Sequence, residues 1–458
     1  MGEINEGDTA LMFVAMCLVQ FMTPGLAFFY GGLVRSTHIL TIVVQCFIAI
    51  GIVFVLWYFC AFSLAFGRSI YGIIGDPLDF VCFTNLTVNS PVDVPGGVNP
   101  ENIPGVLFAA YQGMFAVITP ALMTGAFADR VRVGPYMVLL AFWTLLIYCP
   151  VCHWIWGGGW MQDWGVYDFA GGLVVHTTSG FSALACLKVI GKRSVLKEEQ
   201  DVSTQPHNVP FVALGTAMLW FGWFGFNGGS ALASNGVAIA AAVNSQIAGS
   251  TAMLGWLFMD HLRGGKKIGL VGACVGAVAG LATVTPAAGF IQSWAAFVMG
   301  IVASLVCYGC IELTGHIQVD DALDVWGVHG MGGLVGSILV GVLADGPECK
   351  EAATDVDPKI NCVNPGYVTR SGQQLFIQTS CAVIVAVYSY VVTFVLVSLM
   401  NRITRVRPEA KDEHALDEAL HGEAAYVMHK APTNLQVREM TGLTTNASSS
   451  EDCDDEAR

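Results

Sequence analysis

Charge is what this sequence has least of: Asp, Glu, Lys and Arg make up 12% of its 458 residues, where a soluble chain carries about a quarter. So few ionic groups cannot cover a water-facing surface, which excludes an ordinary soluble protein of this length. Reactive chemistry is equally sparse. The chain shows no activated nucleophile, no His, Cys, Asp and Glu cluster at metal-ligand spacing, and no glycine loop of the phosphate-cradling kind. An enzyme is therefore not expected, and no cofactor, metal or nucleic-acid partner is called for. A cleavable leader is not expected either. After the polar lead from Met1 to Asp8 the first apolar stretch runs past Leu33, too long for the apolar core of a secretory signal, and is expected to remain as a helix.

What is present is apolar sequence, 54% of the residues, with a mean hydropathy of +0.60. Stretches at about 9–34, 39–66, 103–128, 134–157, 168–190, 209–230, 236–262, 267–287, 290–313, 325–344 and 373–401 each suit the ~20 residues a helix needs to cross hydrocarbon. The expected fold is an all-α polytopic membrane protein of eleven transmembrane helices. A tail from 402 to 458 follows, polar at first and acidic at its end, where Ser448, Ser449 and Ser450 precede a run of acids and disorder is expected.

An odd number of spans puts the termini on opposite sides, and basic residues decide which is which. Of the 21 Lys and Arg, only Arg68, Lys350, Lys359 and Arg370 fall on one face when connections alternate. The N-terminus is therefore expected outside and the C-terminus in the cytoplasm. The outer face then holds the 68–102 segment, where Asn85-Leu86-Thr87 is an N-glycosylation acceptor pattern. It also holds Cys349 and Cys362, a candidate disulfide if that loop meets an oxidising compartment. The other cysteines lie mostly in apolar runs, as small buried hydrophobes.

Similar strings recur five spans apart. Phe29-Tyr30-Gly31-Gly32 matches Phe226-Asn227-Gly228-Gly229, and Thr119-Pro120-Ala121 matches Thr285-Pro286-Ala287. The run from Asp168 to His176 resembles that from Asp324 to Gly330. A five-span shift reverses the direction of crossing, so the expectation is two inverted five-helix repeats, about 9–190 and 209–344, with span eleven (373–401) as a C-terminal outer helix.

His176 and His329 are ionisable groups inside spans, which makes them a functional hypothesis by default. His176 lies ~12 Å along its helix from Asp168, and His329 ~8 Å from Asp324 entering from the opposite face, so the two converge near the middle. A charged imidazolium is costly there; the neutral ring both donates and accepts, and two rings would fix each other's tautomer. The alternative is a satisfied structural pair between packed helices. Asp168 and Asp324 each open a helix, where capping is the expected role, and Asp168 at the outer mouth is also a candidate for gathering a cation.

With these residues the chain resembles the ammonium transporter family, the Amt/Mep branch of the superfamily that includes the Rhesus proteins. The resemblance runs from about residue 9 to 430, through MTPGLAFFYGGLVR, DFAGGLVVH, GWFGFNGGSA and DVWGVHG. It implies a homotrimer of eleven-helix protomers in which Trp156 and Ser230 form an outer recruitment site with Phe115. Phe115 and Phe226 would be the stacked gate, and His176 and His329 the pore pair, in a plasma membrane or an internal one. The tail string DEALHGEAAY resembles the segment through which subunits of the family couple, a place for a regulatory protein or kinase. Where the plant branch has a threonine switch, this chain has Ala419. The rival reading is an ammonium sensor that signals with little flux.

Overall fold

The computed structural model describes residues 3–94, 96–98, 100, 102–193, 205–263, 268–344, 372–413 and 415–426. Cys349, Cys362 and the acidic end of the tail lie outside them. Among the described residues ten helices are long and apolar enough to span a bilayer: α1 (Glu6–Leu33), α2 (Ile39–Phe66), α3 (Gly105–Met123), α4 (Val133–Trp164), α5 (Gly172–Ile190), α6 (Val209–Gly228), α7 (Gly236–Leu262), α9 (Ser293–His316), α10 (Trp326–Leu343) and α11 (Gly372–Ile403). The remaining expected span is α8 (Leu270–Val284), at 15 residues too short to count by length. Thr285 still has helical backbone, and the chain then passes through turns over 285–290 instead of continuing the helix. These helices make the chain a multi-pass membrane protein. Large apolar side chains face outward along them, among them Phe13, Phe47, Phe258 and Val387, each half or more exposed. Such a surface is natural against lipid and a liability in water.

Several helices start where the sequence places a side-chain acceptor for the free amides of the first turn. Asn5 accepts from Asp8, Asn208 from Phe211, and Asn235 from Val237 and Ala238. Among the described residues five helices contain a wider π-type turn, at Trp57–Ala61 in α2, Thr144–Tyr148 in α4, Gly172–Thr177 in α5, Phe224–Gly228 in α6 and Trp326–Gly330 in α10. Helix α4 also breaks after Trp156 at Gly157, Gly158 and Gly159. The only strands among the described residues are a two-residue antiparallel pair after α2, with Ser69 opposite Gly75.

The basic end of the bundle is tied by one buried guanidinium. Arg130, fully buried after α3, donates to the Gly191 carbonyl (2.9 Å), the Asp320 carbonyl (2.8 Å) and the Asp320 carboxylate (3.2 Å). Arg193 adds a second fork onto that carboxylate (Nη2 to Oδ1, 2.7 Å). Burial alone would raise the Asp320 carboxyl, but the two arginines outweigh it and hold it below its ordinary value. Removing one partner of such a buried pair costs about 3–5 kcal/mol. The tail returns to the same end. Asp417, in a short helix α12 (Leu416–His421), accepts from the Leu40 and Thr41 amides at the start of α2 (3.0 and 2.8 Å) and from the Thr41 hydroxyl. The Glu413 carbonyl receives Arg35 (3.0 Å) and lies 2.9 Å from His38 Nε2.

Candidate functional site

The two histidines meet. Their Nδ1 atoms are 3.2 Å apart, the rings lie 22° from parallel, and both side chains are almost fully buried. Each sits in one of the wide turns, in α5 and α10. Such turns recur at functional sites because they re-aim side chains a regular helix would point elsewhere. Two neutral rings joined through Nδ1 must carry opposite tautomers, one offering a lone pair at Nε2 and the other an N–H. The Nε2 of His176 is buried without a hydrogen-bond partner. Close packing holds the pair: a Cβ on Gly333 would lie 2.7 Å from the His176 Cβ and 2.5 Å from the Gly172 carbonyl oxygen. Trp223 lies nearly parallel to His176 at 5.6 Å, fixed by its indole N–H on the Thr285 hydroxyl (2.9 Å).

The histidines line a cavity whose other walls include Met22, Leu26, Phe29, Ile118, Leu122 and Val278. At one end of the cavity Phe226, also in this lining, stacks on Phe115 with centroids 4.3 Å apart, and Trp156 stands at right angles to Phe115 at 6.0 Å. Trp156 is 7% exposed and its indole N–H donates to the Asp168 carbonyl (2.8 Å), so it is not a belt residue in lipid. Ser230 donates its hydroxyl proton to the Phe226 carbonyl (2.8 Å), so its oxygen, 3.4 Å from the Tyr111 hydroxyl, can act only as an acceptor. The sequence-predicted residues Trp156, Ser230, Phe115, Phe226, His176 and His329 thus fall along one path.

Asp168 caps its helix as expected; its role in gathering a cation and the cap at Asp324 do not hold. Both carboxylate oxygens of Asp168 are occupied by amides, those of Gly171, Gly172, Leu173 and Val174 at 2.6–3.1 Å, which starts α5 and leaves no free oxygen for a cation. Asp324 is not the matching cap in α10. Asp321 is: its carboxylate accepts from the Trp326 amide at 2.7 Å, while Asp324 has a left-handed backbone and contributes its carbonyl to the Val328 amide. Asp320, held by Arg130 and Arg193, places its neighbour Asp321 for this role.

The Ammonium Transporter Family model matches residues 10–426. The chain belongs to the ammonium transporter family. A putative ammonium transporter of Methanothermobacter thermautotrophicus is 40% identical over 92% of this chain and 99% of its own. The ammonium transporter Amt1 of Archaeoglobus fulgidus is 38% identical over 92% and 100%. Among solved structures, Saccharomyces cerevisiae Mep2 superposes with a TM-score of 0.83 at 34% identity, covering 94% of this chain and 93% of that one. A sensor Amt protein superposes at 0.78 with 25% identity, covering 91% and 98%. In this family member three residues that sequence reasoning passed over belong to the site. Asp321 stands eight residues before His329, as Asp168 does before His176, an offset that would have found it. Trp223 and Tyr111 had no signal beyond being aromatics in apolar runs.

Proposed function

We propose that the chain moves ammonium across a bilayer by removing a proton at the outer mouth and passing ammonia along the edges of the joined His176 and His329 rings. The observation that carries this reading is the 3.2 Å approach of two buried imidazole nitrogens in an otherwise apolar cavity. Trp156, Phe115 and Ser230 form the recruitment site. Aromatic faces attract a cation by ~2 kcal/mol or more when desolvated, and the Ser230 oxygen accepts a hydrogen bond from one of its N–H groups. Asp168 acts indirectly, through the cap of α5 and the Trp156 anchor. Phe115 and Phe226 close the gate beneath.

Carrying the intact ion further costs several kcal/mol even after relaxation, more than those contacts return. Loss of the proton removes that cost. Ammonia travels past the imidazoles, and the proton is either returned outside or passed separately. Potassium has no proton to lose and stalls.

The same reading makes the protein a homotrimer in the plasma membrane, with two inverted repeats, the N-terminus outside and the 402–458 tail a cytoplasmic regulatory segment open to a regulatory protein or kinase. Asn85, exposed in the 68–102 segment and hydrogen-bonded to the Asp79 carbonyl, would then carry glycan in a eukaryotic host. A second reading, a sensor with little flux, draws on the likeness to the sensor Amt protein. Purified protein in liposomes separates them: simultaneous ammonium-dependent current and internal pH change is expected, and silence in both favours the sensor.

A further inference from the structure

Helix α11 carries none of the residues along the path from Trp156 to His329, yet it extends two fully buried carboxamides toward that path, those of Gln374 and Gln378. They meet the non-helical stretch between α4 and α5. The Gln378 Oε1 accepts from the Tyr167 amide (2.7 Å), and the Gln378 Nε2 donates to the Tyr167 carbonyl (2.8 Å). The other Nε2 proton goes to the Ser337 carbonyl of α10 (2.9 Å), eight residues past His329. Gln374 backs this clamp, its Nε2 donating to the Gly165 carbonyl (3.0 Å) and to the Gln378 Oε1 (3.1 Å).

Hydrocarbon surroundings make such a clamp necessary. Backbone that leaves a helix within a bilayer finds no water, so its amides and carbonyls need protein partners. For Tyr167 the Gln378 carboxamide plays the part of a neighbouring strand, giving one bond to and taking one from the same residue. Every polar atom of the group is used: both N–H bonds donate and the oxygen accepts twice. An ionised glutamate has no proton to give at this position, and a methionine of similar length makes none of these bonds.

What the clamp holds comes next in the chain. Asp168 follows Tyr167; its carbonyl takes the Trp156 indole N–H, and its carboxylate caps the helix that carries His176. Phe169 is pinned from another side, its amide on the Pro286 carbonyl (3.1 Å). The position of the Asp168 carbonyl, and with it the edge-on contact of Trp156 with Phe115, is therefore set from α11.

We infer that Gln378 is a positioning residue for ammonium recruitment: by clamping Tyr167 to α11 and α10 it sets the Asp168 carbonyl that orients the Trp156 ring. This rests on the reading of Trp156 given above. It gives α11 a part in substrate affinity beyond sealing the bundle from lipid.

The test is Gln378→Met in the full-length protein in liposomes, which keeps a side chain of similar length and deletes every bond of the clamp. A merely structural role would reduce the amount of active protein, and so the maximal rate, with the half-saturating ammonium concentration unmoved. That concentration should instead rise about 3- to 10-fold, the effect of one weakened hydrogen bond at the Trp156 indole. Combined with Trp156→Leu it should rise no further than in the larger single variant, because the clamp acts through that ring. An unchanged half-saturation, or effects that multiply in the double variant, overturns the inference. If Gln378→Met does not fold, Gln374→Leu, which removes the support of the Gln378 oxygen and leaves Gln378 in place, is expected to raise half-saturation about twofold, and unaltered affinity there also overturns it. Wild-type vesicles without ammonium flux defeat the transport reading first, a result distinguishable from a wild-type flux whose half-saturation Gln378→Met leaves untouched.

Discussion

Asp168 and Asp321 each stand eight residues before a pore histidine, and each caps the helix that carries it. The charge on each carboxylate opposes the positive end of the following helix, a stabilising arrangement when partly buried. One aspartate thus sets the depth of His176 and the other that of His329. The two caps differ in extent, since Asp168 gathers four amides.

Asp168→Asn is therefore expected to destabilise the protein on the order of 3 kcal/mol, because an amide replaces a carboxylate that accepts charge-assisted bonds on both oxygens. Asp321→Asn should cost less. Thermal unfolding in detergent ranks the variants, and the reverse order would contradict the geometry. Asp324→Asn should preserve the start of α10.

At the pore, His176→Leu should abolish ammonium flux with thermal stability close to wild type, since Leu keeps the apolar packing against Trp223. Undiminished flux in liposomes would reject any role for the ring. His329→Glu places a group able to ionise beside His176 and should admit potassium, read as a potassium diffusion potential. Continued exclusion would move selection to the outer mouth.

Trp156→Leu removes an aromatic face and the bond to the Asp168 carbonyl while leaving the histidines in place. Apparent ammonium affinity should fall about tenfold for ~1.4 kcal/mol of lost attraction, with a smaller effect on maximal rate. A rate loss without an affinity loss would show that Trp156 serves the pore instead.

Docking of the tail is expected to depend on pH through His38. This ring faces Asp129 (3.9 Å), Arg35, the Glu413 carbonyl and, more distantly, Asp417. Burial lowers its proton affinity more than Asp129 raises it, and Arg35 lowers it further, so the group sits below its ordinary value of 6.5. A released tail that exposes His38 binds more protons as pH falls through that value, so docking is full above it and weakens below. Protection of the 416–421 amides from hydrogen exchange, each rate taken relative to the intrinsic rate at its own pH, should be lower at about pH 5.5 than at about pH 7.5, a difference that His38→Gln abolishes. Equal protection at both values in the wild type would end this prediction.

The histidine pair was legible because an ionisable side chain in an apolar run is conspicuous, and the repeat gave each histidine a partner. The path of Phe115, Trp156, Phe226 and Ser230 rested on resemblance, since aromatics near a span end ordinarily face lipid. The second cap was misplaced because Asp324 is the acid nearest the helix, while the left-handed backbone there, which turns the chain, is set by tertiary packing. Helix α8 looked long enough because hydropathy continues through Thr285-Pro286-Ala287, residues that the structure places in turns after the helix. The wide turns left no trace in the sequence, since they are fixed by contacts between helices such as the Tyr111 bond to the turn in α6.

Those wide turns have a consequence for editing the gene. Each amounts to a single surplus residue accommodated in a helix, and every position beyond it is rotated relative to an uninterrupted one. Deleting one residue between 172 and 177 would tighten α5 into ordinary geometry and swing one part of it against the other by about 100°, turning the imidazole away from its twin. A shortening of one codon there should do more harm than most exchanges of one amino acid for another.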